Sequence, residues 1–147
     1  MSVMPTFSKQ TVIRWLPAIA WMTLIFWFSA QPDLPKPPSA LLNMILRKSA
    51  HFSEYGVLAL CYLYGLGDRR PWHRWLALLL AILYAISDEY HQSWTPNRYP
   101  SAIDVLIDTA GALTAVGLWH RFEQHVIVGK ARSWAAGFGQ ASGEKRA

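Results

Sequence analysis

The sequence predicts an all-α protein, a polytopic membrane bundle of four transmembrane helices with both termini cytoplasmic. Three observations lead there. The 147 residues are 52% apolar and 14% aromatic with eight Trp. The apolar residues come in blocks near membrane-spanning length rather than at amphipathic intervals. The basic residues fall between those blocks, so the formal net charge of +5 reads as a set of topology signals and no nucleic-acid partner is expected.

The first span, 12–30, is uncharged from Trp15 onward, with Pro17 expected in the first turn and Pro32 marking the exit. Its Trp-rich core is longer than a signal-peptide h-region, and the bulky Phe28 disfavours cleavage after Ala30, so it is expected to be retained. The next three spans are less clean. Between charges they offer only 55–67, 75–87 and 109–119, too short for the roughly 20 residues that cross hydrocarbon. They reach full length, at 48–67, 74–93 and 101–120, only if the membrane admits polar residues. A charge at a bilayer centre costs roughly 2.5–3.5 kcal/mol, so Glu54, Asp88, Glu89, Asp104 and Asp108 need compensation.

Four crossings put the termini on one side, with Lys9, Arg14, Arg69, Arg70, Arg74, Arg121, Lys130, Arg132, Lys145 and Arg146. The other side carries Lys36, Arg47, Lys48 and Arg98. That asymmetry makes the first side cytoplasmic. All five carboxylates then fall toward the outer end of the bundle, with Asp108 roughly 10 Å deeper than Ser101 at 1.5 Å per residue. Before the second span, a Pro-rich stretch leads into Leu41, Leu42, Ile45 and Leu46, an amphipathic segment expected on the outer surface. The basic tail 121–147 is expected to be loosely ordered and to touch the membrane, and 1–147 forms one domain. The lone Cys61 lies in an apolar run and is expected to pack there.

Candidate site residues follow from helical spacing. Lys48, His51 and Tyr55 share a face, with Glu54 about 60° away. Lys48 either snorkels or joins the site, and His51 and Glu54 either face a pocket or bond another helix. Tyr84, Asp88, His91 and Gln92 share a face of the third span, whereas Glu89 is turned by about 100° and is the better structural partner. In the loop, Pro96-Asn97 suits a tight turn that aims Arg98 back toward the carboxylates, as a structural counter-ion or as an anion receptor. Ser101-x-x-Asp104 reads as a helix cap, which gives Asp104 a structural explanation as well. Asp108, one turn deeper, has none, while Gly111 and Ala115 continue its face as small residues that permit close helix approach.

Asp88, His91, Asp108, His51 and Glu54 are therefore the candidates for catalysis or proton exchange, and Arg98, Lys48, Tyr55, Gln92 and Asp104 those for binding. A metal is not expected, nor any other cofactor. Asp88-x-x-His91 has the spacing used in di-metal bundles, but the second motif is reversed, His51-x-x-Glu54, and Arg98 would oppose a cation.

The run DEYHQSWTPNRYPSAIDVLIDTAG, preceded by RKSAHFSEYGVLAL, resembles the VanZ-like family of bacterial integral membrane proteins. The positions that carry the resemblance are Lys48, His51, Glu54, Tyr55, Asp88, Glu89, Gln92, Pro96, Arg98, Ser101, Asp104 and Gly111. Asn97 replaces the usual turn Gly, and Asp108 stands where Asn is more usual. The resemblance implies a multi-pass protein of the bacterial inner (cytoplasmic) membrane and cell envelope, with a link to antibiotic resistance through a relative associated with teicoplanin. The expected activity is binding or modifying a lipid-linked or lipopeptide envelope component, with membrane lipids as surroundings. The alternatives are a proton-coupled transporter element, which with four helices would need a homo-oligomer, and a non-catalytic scaffold.

Overall fold

The computed structural model describes residues 9–31, 39–67, 70–96 and 98–144, with side chains described as far as Val126. Pro32, the Pro-rich stretch with Lys36, Arg69, Asn97, the side chains of Lys130 and Arg132, and Lys145 and Arg146 lie outside that description. Four helices follow one another: α1 (Lys9–Ser29), α2 (Ala40–Leu66), α3 (Pro71–Gln92) and α4 (Ala102–Glu144). The all-α expectation holds, and no strand occurs among the described residues.

Local chemistry sets the ends, and it moves several of them. α1 begins before the expected start, so Pro17 lies inside the helix rather than in its first turn. Its ring leaves the Ile13 carbonyl without the usual helical donor. α2 begins at Ala40, because Ser39 Oγ accepts the Leu42 N–H at 3.4 Å and no breaker separates the amphipathic segment from the span. The two expected elements are one helix. Gly67 ends it in the left-handed region at φ 86°, donating to the Leu63 and Tyr64 carbonyls. α3 starts with Pro71 at its first position, where a missing N–H costs nothing.

The tail expectation is corrected: α4 continues through 121–144 as helix. No proline follows Pro100 to interrupt it. The chain divides into two compact units, Met1–Val116 and Gly117–Ala147. In the second, Trp119 and Phe122 pack one helical turn apart, with ring centroids at 6.5 Å.

Within the first unit, α1 and α2 run antiparallel. A Cβ on Gly65 would come within 2.9 Å of the Trp15 ring, and Trp21 Nε1 donates to the Glu54 carbonyl at 2.8 Å. Tyr84 on α3 donates to the Met22 carbonyl of α1 at 2.6 Å. α2 and α4 run parallel, because Lys48 meets Asp104, His51 meets Asp108 and Gly56 meets Ala115 in the same order along both helices. Gly111 sits against the backbone of Phe52, where any Cβ would collide with the carbonyl oxygen. The small-residue face expected at Gly111 and Ala115 is thus the seam of this pair.

An apolar core including Ile25, Leu58 and Leu63 is joined by buried polar side chains, and large apolar side chains lie on the outside. Asp88, Glu89, Gln92 and Asp108 are 5% exposed or less, while Trp27, Leu83 and Leu106 are more than half exposed. Two segments, α1 and residues 102–126 of α4, are long and apolar enough to cross a membrane; among the described residues, α2 and α3 do not meet that standard.

Candidate functional site

The polar side chains converge at the end of the first unit that holds the α3–α4 connection. That connection is a turn in which the Arg98 N–H bonds the Thr95 carbonyl at 3.2 Å. Among the described residues, the Arg98 side chain forms no ion pair with a carboxylate. Its Nη2 donates to the Gln31 carbonyl at 3.2 Å and the Phe28 carbonyl at 3.4 Å, and its Nη1 to Gln92 Oε1 at 3.4 Å. The carbonyls at the end of a helix lack i+4 donors; that of Phe28 accepts the Gln31 N–H at 3.2 Å and has a second lone pair for Arg98, and a cation at a helix C-terminus is favoured. Arg98 does turn back toward Asp88, Glu89 and Glu54, whose charges act on it, but its hydrogen bonds go to carbonyl and amide oxygens. Burial, and next the nearby Arg47, push the Arg98 guanidinium below its usual value, although a guanidinium stays charged at neutral pH.

Behind Arg98 the bonds continue inward. Gln92 Nε2 donates to Asp88 Oδ2 at 3.0 Å, and Ser29 Oγ on α1 donates to the same oxygen at 2.9 Å. Asp88 Oδ1 and the buried Tyr55 hydroxyl have no hydrogen-bond partner. His91 stacks on Phe26 with centroids 4.0 Å apart.

On the other side, Lys48 Nζ binds Asp104 Oδ1 at 3.0 Å. Lys48 therefore pairs rather than snorkels. The expected capping box is rearranged: Ser101 Oγ accepts from Ile103 N at 3.2 Å, but the Ser101 N–H is taken by Glu89 Oε2 at 2.7 Å. Asp104 is occupied by Lys48, so a carboxylate from α3 completes the cap.

Deeper still, His51 Nδ1 lies 3.3 Å from Asp108 Oδ1, an ion pair when the imidazole is protonated. One ligand atom each from His51, Glu89 and Asp108 fall within 4.8 Å of one another, so three helices supply a group able to hold a metal ion. The residues that meet are not the two i, i+3 motifs visible in the sequence.

Two cavities of about 270 Å³ each open beside these groups. One is lined by Arg47, Lys48, His51, Arg98 and Asp104 among others, the second by Ser29, Arg47, His51, Glu54 and Arg98. Of the sequence candidates, Lys48, His51, Glu54, Arg98 and Asp104 border these cavities. Asp88, His91, Asp108, Tyr55 and Gln92 border neither and stand behind or beside them. Arg47 and Ser29 were missed. Arg47 had a signal, four residues before His51 and so on its face; Ser29, at the end of an apolar run, had none.

A family model described as VanZ/LLP1 matches residues 14–123. No curated protein and no solved structure matches the chain. The matched residues hold α2, α3, the turn with Arg98 and every side chain of the polar cluster, and the chain belongs to the VanZ/LLP1 family.

Proposed function

We propose that this VanZ-like protein is a multi-pass protein of the bacterial cytoplasmic membrane, that its polar cavities face outward, and that they bind the anionic headgroup of a lipid-linked or lipopeptide envelope component. The carrying observation is that Arg47 and Arg98 line both cavities and that neither forms an ion pair among the described residues. Among the described residues, the hydrogen bonds of Arg98 go to neutral oxygens. Two like charges facing one opening are stabilised by an anion, and guanidinium groups bind phosphate or carboxylate with two donors each. Lys48 is less available because Asp104 already neutralises it.

The membrane reading draws support from the exposed apolar faces. α3 exposes Leu79, Leu83 and Ile86, and α2 exposes Leu41, Leu42, Ile45 and Leu46, while their carboxylates point inward. A helix too polar to insert alone is acceptable where its polar side chains are enclosed by neighbours. Four spans with cytoplasmic termini follow from the basic-residue asymmetry.

The test is genetic and biochemical. A strain lacking the gene is complemented with wild type, Arg47→Ala, Arg98→Ala or the double variant at matched protein levels, and teicoplanin susceptibility is measured. The double variant is expected to resemble the deletion strain. Purified protein in nanodiscs is titrated in parallel with a polyprenyl phosphate, and the double variant is expected to bind at least tenfold more weakly. Full rescue together with unchanged binding would remove the proposal.

A further inference from the structure

We infer that His51, Glu89 and Asp108 form a binding site for a divalent transition-metal cation, with Zn²⁺ as the best match. Two independent observations point to it. The first is convergence: α2, α3 and α4 each contribute one ligand type, with all three ligand atoms within 4.8 Å of one another. The second is a pair of buried oxygens without a partner. Glu89 Oε1 and Asp108 Oδ2 accept no hydrogen bond, although Asp108 is 1% exposed and Glu89 5%. His51 compensates Asp108 only when its imidazole is protonated, and two carboxylates buried side by side are costly unless a further positive charge neutralises them.

The geometry suits a small cation. Zn–N and Zn–O bonds of about 2.0–2.2 Å in a tetrahedron place ligand atoms roughly 3.4 Å apart. His51 Nδ1 and Asp108 Oδ1 are already at 3.3 Å. Glu89 lies within 4.8 Å of both and has to close what remains of that gap, while its Oε2 is anchored on the Ser101 N–H. That hydrogen bond is the outer support that metal-binding carboxylates usually have. Two carboxylates and a neutral imidazole balance a divalent charge, and imidazole with carboxylates suits Zn²⁺ or Mn²⁺ better than Mg²⁺ or Ca²⁺. Three protein ligands leave a coordination position open. His51 borders both cavities, which gives an ion a route to the site. Arg98 is near enough to act on Glu89 electrostatically, but its hydrogen bonds go to Gln92 and the end of α1 and leave the three ligands uncovered. The assignment stands apart from the anion reading, because none of its ligands is an arginine or lysine.

Full-length protein in detergent micelles, stripped with a chelator and dialysed against Zn²⁺ or Mn²⁺, tests it by metal content per chain and by melting temperature. Wild type is expected to hold one ion per chain and to melt at a higher temperature when loaded. Glu89→Gln keeps an oxygen for the Ser101 N–H while removing the charged ligand; it is expected to fold as wild type and to bind at least tenfold more weakly. Asp108→Asn and His51→Gln provide second and third variants, each read only where circular dichroism shows the native helix content. His73→Gln, near the other end of α3, controls for adventitious histidine binding and is expected to load as wild type. Co²⁺ in place of Zn²⁺ should give visible ligand-field bands in wild type and not in Glu89→Gln. Absence of metal uptake by wild type, or undiminished uptake by folded Glu89→Gln, overturns the site.

Discussion

The Ser101 N–H donates to Glu89 Oε2 at 2.7 Å, so a carboxylate near the end of α3 caps the start of α4 across the connecting turn. It is a tertiary bond doing what a local side chain does in most helices. Losing an N-terminal cap costs about 0.5–2 kcal/mol. Glu89→Ala is expected to lower stability by that amount in thermal unfolding of the micellar protein without added metal, whereas Glu89→Gln is expected to stay close to wild type. Equal losses in both variants would show that the hydrogen bond is not the source of the effect.

Gly111 lies against the Phe52 backbone with no room for a Cβ, whereas Gly117 has nothing within 4 Å of where one would be. Overpacking against a backbone that cannot retreat costs about 1–3 kcal/mol. Gly111→Ala should therefore destabilise by that amount, and Gly117→Ala should be neutral or stabilise by up to about 1 kcal/mol through helix propensity. The pair of melting temperatures checks both signs at once.

Ser29 donates to Asp88 at 2.9 Å in a buried setting, which leaves the carboxylate dependent on two donors for the same oxygen. Ser29→Ala should cost about 1–3 kcal/mol, the range for depriving a buried polar group of its partner. In a double-mutant cycle with Asp88→Asn, the two effects should be coupled by at least about 0.5 kcal/mol. Strict additivity would mean that the contact does not contribute as described.

The Lys48–Asp104 pair is more exposed, with the two side chains 38% and 22% accessible. Such pairs contribute about 0–1 kcal/mol. Lys48→Ala is expected to change stability by less than Ser29→Ala does, and the charge-reversed double variant Lys48→Asp with Asp104→Lys should recover most of any loss. Urea or thermal unfolding at low and high salt should show a small dependence for wild type that disappears in Lys48→Ala.

The sequence by itself determined the all-helical class, the approximate positions of the four helices, and the seam at Gly111 and Ala115. These depend on local information: apolar run length, turn and cap residues, and the spacing that places side chains on one helical face. It also pointed to most of the side chains that the polar cluster brings together, since charges in apolar segments are rare enough to stand out, but not to Ser29 or Arg47. Their partners were another matter. Helical spacing shows which residues share a face, but not how far each helix is rotated or offset against its neighbours. Arg98 therefore looked destined for a carboxylate, and the structure gives it the carbonyl end of α1. Asp104 looked like a local cap, and it is taken by Lys48 from a helix 56 residues away. Glu89 read as a structural partner, and it caps α4 through the Ser101 N–H, but its proximity to His51 and Asp108 on two other helices was not visible in the spacing. The parallel packing of α2 and α4 and the docking of α3 decided these pairings, because a few ångströms of axial offset change which side chains meet.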